Sequence, residues 1–156
     1  MTLSASVQFA SAAKHLPLRA QVRRWALAAH RDVAEKRDGV VTIRYVDERE
    51  GRMLNRDFRG KDYATNVLTF VHESSPFQPE ARHGYSADIV ICAPVIAREA
   101  REQKKPVAAH HGHMVLHGML HARGFDHEND ADAASMEVIE IALLRRFRIK
   151  NPYEIE

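Results

Sequence analysis

The chain has 156 residues, 45% hydrophobic and 28% charged, so one domain over residues 1–156 can bury about 70% of its unfolded surface, without disorder or disulfide stapling. Lysine and arginine number 23 against 21 acids, a net charge of +2 with histidine neutral, so bulk charge does not mark a nucleic-acid binder and any such contact must use a local patch. The first 18 residues hold no basic segment followed by an apolar run, nothing approaches the ~20 apolar residues of a membrane span, and the lone Cys92 cannot form an internal bridge; a soluble, unprocessed protein of the reducing cytoplasm is expected.

Residues 4–10 alternate weakly, with Ala5, Val7 and Phe9 on one face, and predict a first strand. Pro17 suits the first turn of a helix in which Leu18, Val22, Trp25, Leu27, Ala29 and Val33 recur near helical spacing until Asp38-Gly39 stops it. The β-branched run Val40 to Val46 predicts a second strand. Asp47 is placed to cap a helix from Glu48 to Phe58 whose apolar face is Met53, Leu54 and Phe58, and Arg59-Gly60-Lys61-Asp62 then reads as a polar loop. Val67 to Val71 and Asp88 to Cys92 predict two more strands, joined by a mobile stretch from Ser74 to Ser86 rich in Pro, Gly and Ser. Pro94 opens a helix to about Lys104, Pro106 opens another, and a last helix from Asp130 to Phe147 turns Met136, Ile139, Leu143 and Phe147 to one side. Strands among helices early and helices clustered late give an α+β domain with a mixed sheet of about four strands covered by helices.

Six of the ten histidines, His110, His111, His113, His117, His121 and His127, fall within 18 residues. His117 and His121 are four apart on the helix opened by Pro106, so both project from one face, about a turn apart, as a bidentate metal site requires. Gly124 can end that helix by taking a positive φ, and the reversed chain can return His127 towards the pair. His113, His117 and His121 on one straight helix would span about 12 Å, too far for metal bonds of about 2.1 Å. His110, His111 and His113 therefore read as groups on the surface or behind the ligands. Three imidazoles with an open fourth position form a catalytic zinc arrangement, and a late helix plus the following turn would carry it. The histidine and glycine spacing is that of metzincin proteases, but Gly118 stands where their general-base glutamate belongs. Asp126 is placed either to orient an imidazole or to cap a turn. Asp130 and Asp132 put negative charge at the N-terminus of the last helix.

The string His117-Gly118-Met119-Leu120-His121-Ala122-Arg123-Gly124-Phe125-Asp126-His127 resembles the hallmark H-G-x-L-H-L-x-G-[YF]-D-H of the YbeY family, bacterial single-metal endoribonucleases of ribosomal RNA maturation, with Ala122 for the usual leucine. A second family block is matched by Leu54, Asn55, Phe58, Arg59, Lys61, Asp62, Thr65, Asn66, Val67, Leu68, Thr69 and Phe70. The family's G-D-I segment appears as Ala87-Asp88-Ile89, and loss of that glycine predicts a slightly different backbone. The resemblance implies one Zn²⁺ per chain on His117, His121 and His127, with Arg59 as the functionally important arginine. It also implies action on RNA: single-strand-preferring cleavage in maturation of the small-subunit ribosomal RNA 3′ end, and ribosome quality control alongside the small subunit and its proteins. A guanidinium can hold a phosphate bidentately, so Arg59 suits a scissile phosphate, and Arg44, Arg52, Arg56, Arg59 and Lys61 can form a basic strip for RNA backbone contacts, with Arg59 and Lys61 binding substrate. Two other readings of the residues are a ribosome-assembly factor whose zinc is structural and a metzincin-like metalloprotease.

Overall fold

The computed structural model describes residues 2–32, 37–72, 84–125 and 129–154. In chain order the elements are β1 (Leu3–Ala10), α1 (Arg19–Asp32), β2 (Asp38–Val46), α2 (Glu48–Arg59), β3 (Val67–His72), β4 (Gly84–Cys92), α3 (Ala93–Glu102), α4 (Val107–Ala122) and α5 (Asp130–Arg146). Most elements fall where hydrophobic periodicity places them, with three differences. β4 begins at Gly84 and not at Asp88, so Gly84 to Ser86 are strand and not part of the mobile connection expected from Ser74 to Ser86, whose residues 74–83 lie outside the described residues. Asp38-Gly39 does not merely stop a helix. It begins β2, because the Thr2 N–H and hydroxyl bond the Asp38 carboxylate while the Gly39 N–H bonds the Thr2 carbonyl, extending the pairing. Asp47 precedes α2 but makes no side-chain cap; its carboxylate accepts instead from the Ser11 hydroxyl and, at 3.0 Å, from the Ala12 N–H, tying the end of β1 to α2.

The sheet order is β1-β2-β4-β3, with β1·β2 and β2·β4 parallel and β3·β4 antiparallel, so β3 is an edge. Parallel neighbours need crossover connections, and α1 supplies the first between β1 and β2. Alternation divides the sheet's faces. Ile43, Tyr45, Ile89 and Ile91 pack with Trp25, Leu116, Leu120 and Leu143 in the larger core, under α1, α4 and α5. Val46, Leu68, Val90 and Cys92 pack with Leu54 of α2 in a smaller cluster on the other face. β4 stays regular through Ala87-Asp88-Ile89, with Ala87 opposite Val71, so the missing glycine does not disturb the strand. Cys92 is buried, as its apolar run implies.

Helix α4 lies very close to the sheet. A Cβ at Gly118 would come within 2.8 Å of Ile89 Cγ2, and one at Gly112 within 2.9 Å of Ile149 Cδ1, so both glycines are where the helix meets its neighbours. None of the described helices is long and apolar enough to cross a membrane.

Candidate metal centre

The helix carrying the histidines is nearly surrounded by protein, which alters the roles open to them. Of the two places expected for His110, His111 and His113, the surface is excluded, since all three are buried; the apolar-only pattern of the sequence hides this because the helix also turns imidazoles inward. His110 Nε2 is 2.9 Å from Glu99 of α3, whose carboxyl is held below its usual range first by that bond, and Asn66 at the entry to β3 donates to the same carboxylate at 3.1 Å. His111 packs edge-on against Tyr45, ring centroids 5.5 Å apart.

His117 and His121 are brought together as their spacing requires. Their Nε2 atoms are 3.1 Å apart and their rings 4.7 Å apart at 75°. Bonds of about 2.0–2.1 Å at tetrahedral angles put two donor atoms about 3.3 Å apart, so this pair fits one ion with little rearrangement. His127 and Asp126 lie outside the described residues.

Behind His117 stands a group that residue patterning missed, Glu140 of α5. It is fully buried. Its carboxylate accepts from His117 Nδ1 at 3.1 Å, from the Tyr153 hydroxyl at 2.9 Å and from His113 Nε2. Burial opposes ionisation of Glu140, but the bonds from His113 and His117 outweigh it and hold the carboxyl down at about 2. Burial pushes the His113 imidazole down and the Tyr153 phenol up, the latter reinforced by the Glu140 charge. An ionised carboxylate can only accept, so Nδ1 of His117 carries the proton and its Nε2 presents a lone pair on the side of His121. A carboxylate behind a histidine that faces an ion fixes the ring's tautomer and orientation. The sequence signal was present: Glu140 occupies the buried stripe of α5 with Met136, Leu143 and Leu144, where a carboxylate needs a partner. Donor atoms of His113, His117 and Glu140 all lie within 4.8 Å of one another, so the region is a metal-capable cluster of two imidazoles and a carboxylate as well.

Gly118 decides what this helix can do beyond ligation. It faces Ile89 and Thr69 of the sheet, so a glutamate there would be driven into the core and not towards the histidine pair. A protease-type base has no place at that position.

Arg59 ends α2, with Gly60 at φ 69° closing the helix, and both Arg59 and Lys61 are exposed. Helix α2 packs through Leu54 on the sheet face opposite α4. Phe58 anchors this end of α2 to the edge strand β3, its ring packed edge-on against Phe70 at 5.1 Å. The basic strip is weaker than its sequence suggests. Arg44 pairs with Glu50 at 2.7 Å, Arg52 with Asp62 at 2.8 Å and Arg56 with Asp57 at 3.3 Å, so three of its five cations already face carboxylates. At α5, Asp130 and Asp132 occupy the first turn as expected, and Asn129 is the cap, its side-chain oxygen accepting from the Asp132 N–H at 2.9 Å.

The family model described as Endoribonuclease YbeY matches residues 7–148. A protein of that name from Thiobacillus denitrificans is 51% identical over 151 residues, 97% of this chain and 96% of the relative. Another from Aromatoleum aromaticum is 52% identical over 137 residues, 88% of this chain and 81% of the relative. A Thermotoga maritima protein solved in solution superposes with a TM-score of 0.56 at 22% identity, covering 96% of this chain and 99% of that one, a likeness of fold. With the family model spanning most of the chain and relatives about half identical over nearly all of it, the chain belongs to the Endoribonuclease YbeY family.

Proposed function

We propose that this chain is a single-domain, zinc-dependent endoribonuclease that prefers single strands and acts in the cytoplasm, in maturation of the small-subunit ribosomal RNA 3′ end and in ribosome quality control. The observation that carries it is the pair of Nε2 atoms on His117 and His121, 3.1 Å apart and backed by the Glu140 carboxylate, on a chain of an endoribonuclease family. His117, His121 and His127 hold one Zn²⁺ per chain in this reading. Bound there, the ion supplies Lewis acidity to a phosphate oxygen and lowers the pKa of a water.

The chain's own residues do the rest. Glu140 keeps the proton of His117 on Nδ1, so Nε2 is always the donor. Tyr153 and His113 saturate the carboxylate and stop it turning away. Arg59 and Lys61 bind phosphate oxygens of the RNA, and Arg59 offsets the negative charge that develops on the scissile phosphate. The ribosomal small subunit and its proteins are the partners that such a substrate brings.

Zinc analysis and cleavage of single-stranded RNA by the wild type and His121→Ala test the proposal. Wild type should bind one zinc per chain and cut RNA. His121→Ala should lose both while still melting cooperatively. A variant that keeps cleaving without metal overturns the reading, and one that unfolds points to a structural ion.

A further inference from the structure

We propose that the exposed Phe58 ring at the end of α2 is a stacking platform for an unpaired base of an RNA strand, with Arg59 and Lys61 beside it in the chain holding that strand's phosphates. This rests on the endoribonuclease reading above and adds to it the group that recognises an unpaired base.

The local sequence sets up the charge. The segment from Arg52 to Tyr63 holds four cations, Arg52, Arg56, Arg59 and Lys61, against two carboxylates, Asp57 and Asp62, so its surplus of positive charge equals the +2 of the whole chain. Both carboxylates are engaged, Asp57 by Arg56 at 3.3 Å and Asp62 by Arg52 at 2.8 Å. Arg59 and Lys61 are exposed, and among the described residues their side chains have no hydrogen-bond or ion-pair partner, so the surplus sits on these two.

The backbone that carries them is pinned. The Gly60 N–H donates to the Arg56 carbonyl at 3.0 Å, the Lys61 N–H to the Asn55 carbonyl at 3.3 Å, and the buried Asn55 side chain to the Tyr63 carbonyl at 2.7 Å. A turn fixed before binding leaves less to order when a ligand arrives.

Phe58 is 66% exposed, the most exposed aromatic ring among the described residues. Its contact with Phe70 is edge-on, with the ring planes at 66°, and covers at most one of its two faces. Phe70 in turn packs on the smaller core cluster, so the platform has a fixed support. A held, open ring next to free cations matches a single nucleic-acid strand, in which every base offers a π-face and the backbone supplies a line of phosphates. Bases paired and stacked in a duplex have no face to offer, so the ring favours unpaired RNA. An acidic peptide satisfies the cations but leaves the ring without a flat partner.

Fluorescence anisotropy of the zinc-loaded protein tests this with three probes: a short single-stranded RNA, an RNA duplex of the same length and a glutamate-rich peptide, the RNA being shown intact on a gel afterwards. Phe58→Leu keeps an apolar contact with Phe70 but has no π-face. It should bind the single strand about tenfold more weakly, with the slope of log K against log salt unchanged and the duplex bound as by the wild type. Phe58→Tyr should restore single-strand binding. Arg59→Gln and Lys61→Gln should each lower the salt slope by about 0.7, the value for one lost single-strand phosphate contact. Unchanged single-strand affinity in Phe58→Leu, an equal loss for the duplex, or unchanged slopes in both charge variants overturns the platform; if the wild type still cleaves single-stranded RNA, the endoribonuclease reading stands. Peptide binding that Phe58→Leu weakens as much as RNA binding also overturns it, as a surface for an acidic protein. Wild type that neither binds nor cleaves RNA overturns both readings.

Discussion

In the proposed metal centre the Glu140 carboxylate orients His117 from behind and is not itself a ligand. Glu140→Gln keeps the volume but places an amide N–H₂ among three donors, His113, His117 and Tyr153, so at least one buried donor loses its acceptor. Zinc affinity should fall about 10- to 100-fold while the protein still melts cooperatively at a lower Tm, measured by chelator competition and calorimetry. Unchanged affinity would mean that the orientation of His117 is set elsewhere. His117 and His121 were legible because i and i+4 place two side chains on one helix face wherever the helix lies. For Glu140 only burial was legible, from its place on the α5 stripe; its partner was not, because it belongs to a different helix and only the packing of α5 on α4 turns it towards His117. Of the two places expected for His110, His111 and His113, the surface or behind the ligands, burial excludes the first, and His113 takes the second through Glu140; a histidine's polarity does not say whether a neighbouring element covers it.

Among the elements, α4 has the most to lose on acidification, because it buries imidazoles in the core. Burial, then the nearby His110 charge, lowers the His111 pKa from 6.5 to about 4. The unfolded chain takes up this proton near 6.5 and the folded chain only near 4. Between those values the unfolded state therefore binds more protons, and stability falls as the pH falls. The full effect is roughly 3 kcal/mol. Urea unfolding should show the wild type losing stability more steeply than His111→Leu between pH 6.5 and 4; equal slopes would exclude His111 as the cause. Most element boundaries followed from periodicity, β-branched runs and proline, all local signals, but β4 starts at Gly84, where pairing with Asp38 of β2 extends it beyond its apolar run. The start of β2 did not, because it is set by Thr2, 36 residues away in sequence, and the Asp47 cap gave way to Ser11 and Ala12 at a similar remove.

At the scale of the whole molecule, the four-stranded mixed sheet leaves β3 as an edge, with α4 packed on one face and α2 on the other. The α+β class was legible from the order of elements. The packing of α2 and α4 on opposite faces of the sheet was not, since only the strand order reveals which chain segments share a face. Anomalous diffraction at the zinc edge, from crystals of the zinc-loaded protein, tests the central claim most directly. It should place one ion on Nε2 of both His117 and His121, with Glu140 still bonded to Nδ1 of His117 and one coordination position free of protein. An ion held instead by His113 and Glu140, or enclosed by four side chains, would contradict the account.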